Sequence, residues 1–181
     1  MSEEVARLDL RARDVAPGAA ERIRLRVPAV ELRLGGEDYT TDPASPEVDV
    51  EVSRSLSGLH LRLRVDVALQ GPCWCCTEPA RIPLAIDVSE FAADGRPDDA
   101  PFDEDFDSVY LEDGVLDLGL WVRDSIAEAV PPLILCREDC AGLCPICGVD
   151  RNTTACDCAV DTTDPRWDAL RALSERLRPP D

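Results

Sequence analysis

Leu59-His60-Leu61-Arg62-Leu63-Arg64-Val65-Asp66-Val67-Ala68-Leu69 is the stretch of this 181-residue chain whose reading decides the fold. An apolar side chain at almost every second place puts Leu59, Leu61, Leu63, Val65, Val67 and Leu69 on one face of an extended strand. Arg62, Arg64 and Asp66 then lie on the other face. The same period recurs on both sides of this stretch. Ile23, Leu25 and Val27 alternate with Arg22, Arg24 and Arg26; Val48, Val50 and Val52 alternate with acids; Leu84, Ile86 and Val88 form a further run. Gly35-Gly36 and Ser57-Gly58 read as turns between strands. The N-terminal half is therefore expected to be an antiparallel sheet with one solvated face.

The composition changes near Glu90. From Glu90 to Asp117 there are eleven acidic residues and one basic residue, Arg96. Such a block reads as a solvated loop or as a docking surface for a basic partner. Asp117 can then cap a helix, because Leu118, Trp121, Val122, Ser125, Ile126, Ala129 and Val130 recur at helical spacing. Pro131-Pro132 ends it. Asp164-Pro165 opens a last expected helix, whose Trp167, Leu170, Leu173 and Leu177 are predicted to pack into a core. The expected fold is α+β: an N-terminal antiparallel β-sheet with two or three helices and a C-terminal Cys-rich zinc-knuckle module. Residues 1–135 form the sheet domain, with the acidic insert at about 90–117 and the helix at about 117–130. Residues 136–181 form the zinc module with its C-terminal helix.

Charge narrows the partners. The net charge is −18, and all 19 basic residues are Arg. A surface this negative repels phosphates, since Lys and Arg supply nearly all non-specific affinity for nucleic acid. Unaided RNA or DNA binding is disfavoured, and a basic protein is the expected partner. No apolar run approaches the roughly 20 residues that span a bilayer. The opening MSEEVARLDL is acidic and lacks the apolar segment of a secretory signal, so the expected location is cytoplasmic.

Nine cysteines in such a compartment point to metal, because thiols there are kept reduced. Cys144-Pro-Ile-Cys147-Gly148 has the spacing of a zinc knuckle: two thiolates in a tight turn, with a glycine to free the backbone after the second. Cys156 and Cys158 follow and complete one four-sulfur site. Cys73 and Cys76 have the same knuckle spacing, and Cys136 and Cys140 are also spaced for chelation. These four form a second expected site, bridging the sheet to the C-terminal module. Another partition places Cys140 with the Cys144 group. One zinc ion is expected on this reading, and a second is compatible with it. Cys75 is left over and reads as a small buried apolar side chain. A closed four-sulfur site is structural, since zinc catalysis needs an open position. His60, the sole histidine, falls on a strand and reads as an ordinary sheet residue. With no phosphate loop, nucleophile elbow or His-Glu zinc motif, no enzyme is expected.

Three pieces, in order, resemble the YceD family, the large ribosomal RNA subunit accumulation proteins of bacteria and plastids. They are the strand leading into Cys73 and Cys76; the apolar stretch from Trp121 to Leu135; and the ending Cys136-Arg-Glu-Asp-Cys140-Ala-Gly-Leu-Cys144-Pro-Ile-Cys147-Gly, with Asn152, Cys156-Asp-Cys158 and Asp164-Pro-Arg-Trp167-Asp-Ala-Leu170. The resemblance implies a role in synthesis, processing or stability of large-subunit (23S) rRNA; the acidic charge adds a basic ribosomal protein or ribosome-assembly factor as the expected partner. The family usually has a basic residue between its first two cysteines; Trp74 and Cys75 stand there in this chain. The competing expectation is a regulatory protein whose zinc-thiolate cysteines sense oxidation.

Overall fold

The computed structural model describes residues 5–13, 15–93, 108–158, 165–167, 170, 173 and 176. The chain divides into two compact units, Met1–Glu138 and Asp139–Asp181.

The first unit is mostly β-sheet. Its strands are β1 (Leu8–Asp9), β2 (Ala20–Arg26), β3 (Glu31–Leu34), β4 (Glu37–Asp42), β5 (Glu47–Arg54), β6 (Gly58–Pro72), β7 (Pro79–Ala93), β8 (Leu111–Glu112) and β9 (Val115–Leu116); one α-helix, α1, spans Leu118–Ala129. β2 to β7 make one antiparallel sheet in which β6 is the spine. Along one edge β6 pairs with β7 over its whole length, from Gly58↔Ala93 to Pro72↔Pro79. Its other edge is shared end to end, by β5 across Leu59–Val65 and by β4 across Ala68–Gln70.

Register turns the sequence alternation into two chemically opposite faces. Ile23, Val50, Leu63 and Val88 lie directly across from one another on β2, β5, β6 and β7, and Leu25, Val48, Val65 and Ile86 form the next such row. Val48, Val50, Leu63 and Val65 are fully buried or nearly so. The rows that alternate with them carry charge: Arg22, Glu51 and Arg62 in one, Arg24, Asp49, Arg64 and Asp87 in the other. Arg22 donates to Glu51 at 2.8 Å, Arg24 to Asp49 at 3.2 Å, and Arg62 grips Asp87 with two bonds of 2.6 and 2.7 Å. Each buried Val or Leu contributes about 1.5–3 kcal/mol. An exposed ion pair contributes about 0–1 kcal/mol. The apolar face therefore stabilises the sheet, and the charged ladder keeps its other face wet and in register.

That ladder gives a pH dependence. The Arg62 hydrogen bonds hold the Asp87 carboxyl below its usual value of 3.8, and Arg22 holds Glu51 below 4.5. A carboxylate depressed in the folded state stabilises fully above its unfolded pKa and loses that contribution as pH falls through the folded one. Unfolding midpoints are expected to fall below about pH 4, and Asp87→Asn should flatten that fall. Urea titrations at several pH values read both.

Gly35 and Gly36 close the β3–β4 hairpin with φ of +61° and +97°, a two-residue turn that side chains disfavour. Asp117 caps α1, its carboxylate accepting from the Leu120 N–H at 3.0 Å. Leu118, Trp121, Val122, Ser125 and Ile126 form the buried stripe of this helix, and α1 packs on β7. Ala129 is exposed, so the stripe stops short of the Pro131-Pro132 break. The acidic block needs correcting at both ends. Its first residues continue β7 to Ala93, and its last ones form β8 and β9, which pair with each other and with β1. Residues 94–107 lie outside the described set.

In the second unit Leu143 and Asp150 make an isolated antiparallel bridge, and Pro165–Trp167 is a 3-10 turn. The expected C-terminal helix falls largely on residues outside the described set. Of its apolar stripe, Trp167, Leu170 and Leu173 are 58, 54 and 50% exposed, which departs from the expected core packing. Among the described residues of this unit the buried apolar side chain is Cys144 alone. No helix among the described residues is long and apolar enough to cross a membrane.

Candidate metal centres

The β6–β7 hairpin turns through Cys73-Trp-Cys75-Cys76-Thr77-Glu78. Cys73 N–H donates to Glu78 O at 2.7 Å and Thr77 N–H to Cys73 O at 2.9 Å. In the second unit Cys144 N–H donates to Val149 O and Gly148 N–H to Cys144 O, both at 2.8 Å. The flanking pairs match as well: Pro72↔Pro79 in one, Leu143↔Asp150 in the other. The two turns thus share one hydrogen-bond pattern, position for position.

They differ at the residue after the second cysteine. Gly148 has φ of +72°, the left-handed region glycine enters freely; Thr77 has φ of +64°. A β-branched residue there is strained by roughly 1–2 kcal/mol. Thr77→Gly is expected to raise stability by about 0.5–1 kcal/mol, after the backbone entropy that glycine loses on folding. Chemical denaturation of the metal-loaded protein checks this, and a destabilised variant would show that the Thr77 hydroxyl, which donates to Cys76 O at 2.6 Å, outweighs the strain.

The cysteine sulfurs fall into two groups. Those of Cys73, Cys76, Cys136 and Cys140 lie within 4.8 Å of one another, and so do those of Cys144, Cys147, Cys156 and Cys158. Zinc bonded to four sulfurs at 2.3 Å sets them about 3.8 Å apart. The Cys76 and Cys136 sulfurs are 3.6 Å apart, near that spacing and far beyond a disulfide bond. Each group could hold a metal ion, and four thiolates with no water position fit zinc. Cys75 is half-buried and belongs to neither group. His60 is exposed on β6 beside Phe91, with ring centroids 4.7 Å apart.

The first thiol of each knuckle is prepared to ionise. Burial pushes Cys73 up, but backbone N–H groups of Cys136, Cys75 and Cys76 outweigh it and bring the thiol to about 6. Backbone N–H groups of Cys147 and Ile146 lower Cys144 to about 6. The last thiol pays for the crowding: hydrogen bonding to Cys147, burial and Cys144 push Cys158 up to about 12. Four thiolates this close cannot all carry charge without a cation among them.

Asn152 was part of a motif in the sequence, with no chemistry attached to it. In the structure its side-chain carbonyl accepts from Ala141 N–H at 2.8 Å, and its amide donates to the Cys140 sulfur at 3.5 Å and to Asp150 at 2.7 Å. It orients one sulfur of the first group, a placement that no spacing rule reveals.

The fold and these clusters define an antiparallel-sheet protein built around two four-cysteine centres. The family described as large ribosomal RNA subunit accumulation protein YceD matches residues 61–174, and the chain belongs to it. An uncharacterized protein of Mycobacterium tuberculosis (strain ATCC 25618 / H37Rv) is 28% identical over 173 residues, covering 94% of this chain and 79% of that relative. The Zea mays large ribosomal RNA subunit accumulation protein YCED homolog 1, chloroplastic, is 26% identical over 165 residues, covering 74% of this chain and 56% of the maize protein. No solved structure matches.

Proposed function

We propose that this chain is a non-catalytic zinc protein that acts in the synthesis, processing or stability of large-subunit rRNA, and that it works through a basic protein partner in the cytoplasm. Family membership carries the rRNA role. The two four-sulfur clusters support structural zinc, because neither leaves a ligand position for a substrate or water. The net charge of −18 favours a ribosomal protein or assembly factor rather than bare RNA. Depletion should lower mature 23S rRNA relative to the small-subunit species. A pull-down from lysate should keep its partner after nuclease treatment; loss of the partner on nuclease would replace the protein-first reading with an RNA one.

One observation favours a second reading. Cys147 is exposed within its cluster, and an accessible thiolate is where oxidation begins. On that reading mild oxidant releases the second ion reversibly and rRNA levels stay normal on depletion.

A further inference from the structure

Beside the first knuckle an apolar recess of about 330 Å³ opens among Leu34, Tyr39, Trp74, Val130, Pro131 and Ile134. Trp74 is its most exposed aromatic member, at 55%, and the neighbouring Leu133 is 50% exposed. The indole is nevertheless fixed. Its residue sits between Cys73 and Cys76, and its backbone N–H donates to Ile134 O at 2.7 Å. The ring lies flush on Gly35, where a Cβ would come within 2.2 Å of Trp74 Cζ3. Sequence and turn thus hold a large ring against the hairpin and leave half of it to solvent. A pre-fixed aromatic loses little freedom when it is covered, which is why such rings anchor interfaces.

Charge says what covers it. Most of the net −18 falls on residues 1–138, and no lysine offsets it. Glu37 follows the Gly35-Gly36 turn, and its charge reaches the buried Tyr39 ring of the recess. Arg33, on the same hairpin, is engaged with Gly36 O at 3.4 Å and with Asp38 at 3.8 Å. An indole face attracts cations, most of all where other charges are negative.

We propose that this recess docks an extended basic peptide segment of the partner protein, with an arginine or lysine of that segment stacked on the open face of Trp74. The inference rests on the protein-partner reading above and assigns it a surface. A nucleobase could also stack on an indole, but its phosphates would meet the acidic surround.

The test titrates the metal-loaded chain into a fluorescein-labelled peptide of alternating Arg and Gly, read by anisotropy at about 150 mM salt, where distant charges are screened. Trp74→Ala is expected to weaken binding at least tenfold, Trp74→Phe by less, and Leu34→Ser, at a lining residue, to weaken it severalfold. Elemental analysis on each variant shows that the metal is retained; Leu34→Ser, which lies outside the knuckle, serves if Trp74→Ala loses it. Equal affinity in the wild type and both recess variants would overturn the docking site, with the peptide then held by charge elsewhere. Trp74-dependent binding of an oligouridine in preference to the peptide, or occupation of the recess by a second copy in sedimentation, would overturn it too. None of these results touches the partner reading, which stands or falls on the nuclease-treated pull-down.

Discussion

Cys147→Ser is expected to release one metal ion per chain and to unfold the loop around Leu143–Asp150. The physical ground is the poverty of the second unit's interior. Among its described residues only Cys144 is a buried apolar side chain, while Leu143, Ile146, Trp167, Leu170 and Leu173 are all well exposed. A segment with so little apolar burial cannot offset its conformational entropy. Binding a structural zinc contributes about 10–16 kcal/mol in comparable knuckles, and that energy is folding energy. Serine is a poor substitute, since its hydroxyl is not deprotonated near neutral pH. Elemental analysis and amide hydrogen exchange read the outcome. Unchanged metal content, or protection across residues 143–150 that persists under a strong chelator, would show that something other than metal holds this loop.

Trp121→Ala should cost the first unit about 3–5 kcal/mol, the range for removing a large buried aromatic. Trp121 is 1% exposed, the largest of the fully buried side chains, and stacks on Tyr110 with ring centroids 6.0 Å apart. It sits on α1 between Leu118 and Val122, so its loss opens a void where the helix meets the sheet. Against a typical total of 5–15 kcal/mol this is a large fraction. Leu120→Ala, one residue away but 40% exposed, is the control and should change stability by about 0.5 kcal/mol or less. Urea unfolding of both variants, followed by circular dichroism, separates them; similar losses would mean that α1 is not seated as the burial indicates.

The sheet was legible because alternation and burial share one cause. The strands whose apolar residues alternate announced themselves: β2, β5, β6 and the centre of β7; β4, which buries Tyr39 and Thr41 among polar neighbours, did not. The start of α1 was legible too, since Asp117 and the stripe after it obey helix geometry. The short strands β1, β8 and β9 were not, because two residues carry no period. A signal did exist in Asp113-Gly114, both at positive φ between β8 and β9, a pair typical of tight hairpins. High acidity masked it. The knuckles were readable from spacing. Their common hydrogen-bond pattern and the thiol-orienting Asn152 were not, because both depend on backbone paths that meet across gaps in sequence. The exposed Trp167 stripe shows the opposite failure: helical spacing tells which residues share a side, and says nothing about whether a neighbour covers it.

The two cysteine clusters also mature on different clocks. Cys144 to Cys158 leave the ribosome almost together. Cys76 and Cys136 are 60 residues apart, and translation at about 5–20 residues per second separates them by roughly 3–12 s. Through that interval the β6–β7 hairpin can be complete while its tip presents Cys73, Cys75 and Cys76 and before Cys136 and Cys140 have been made. A nascent chain in this condition is exposed to premature oxidation or to capture of a misplaced ion, and the delay ends only when Cys136 emerges.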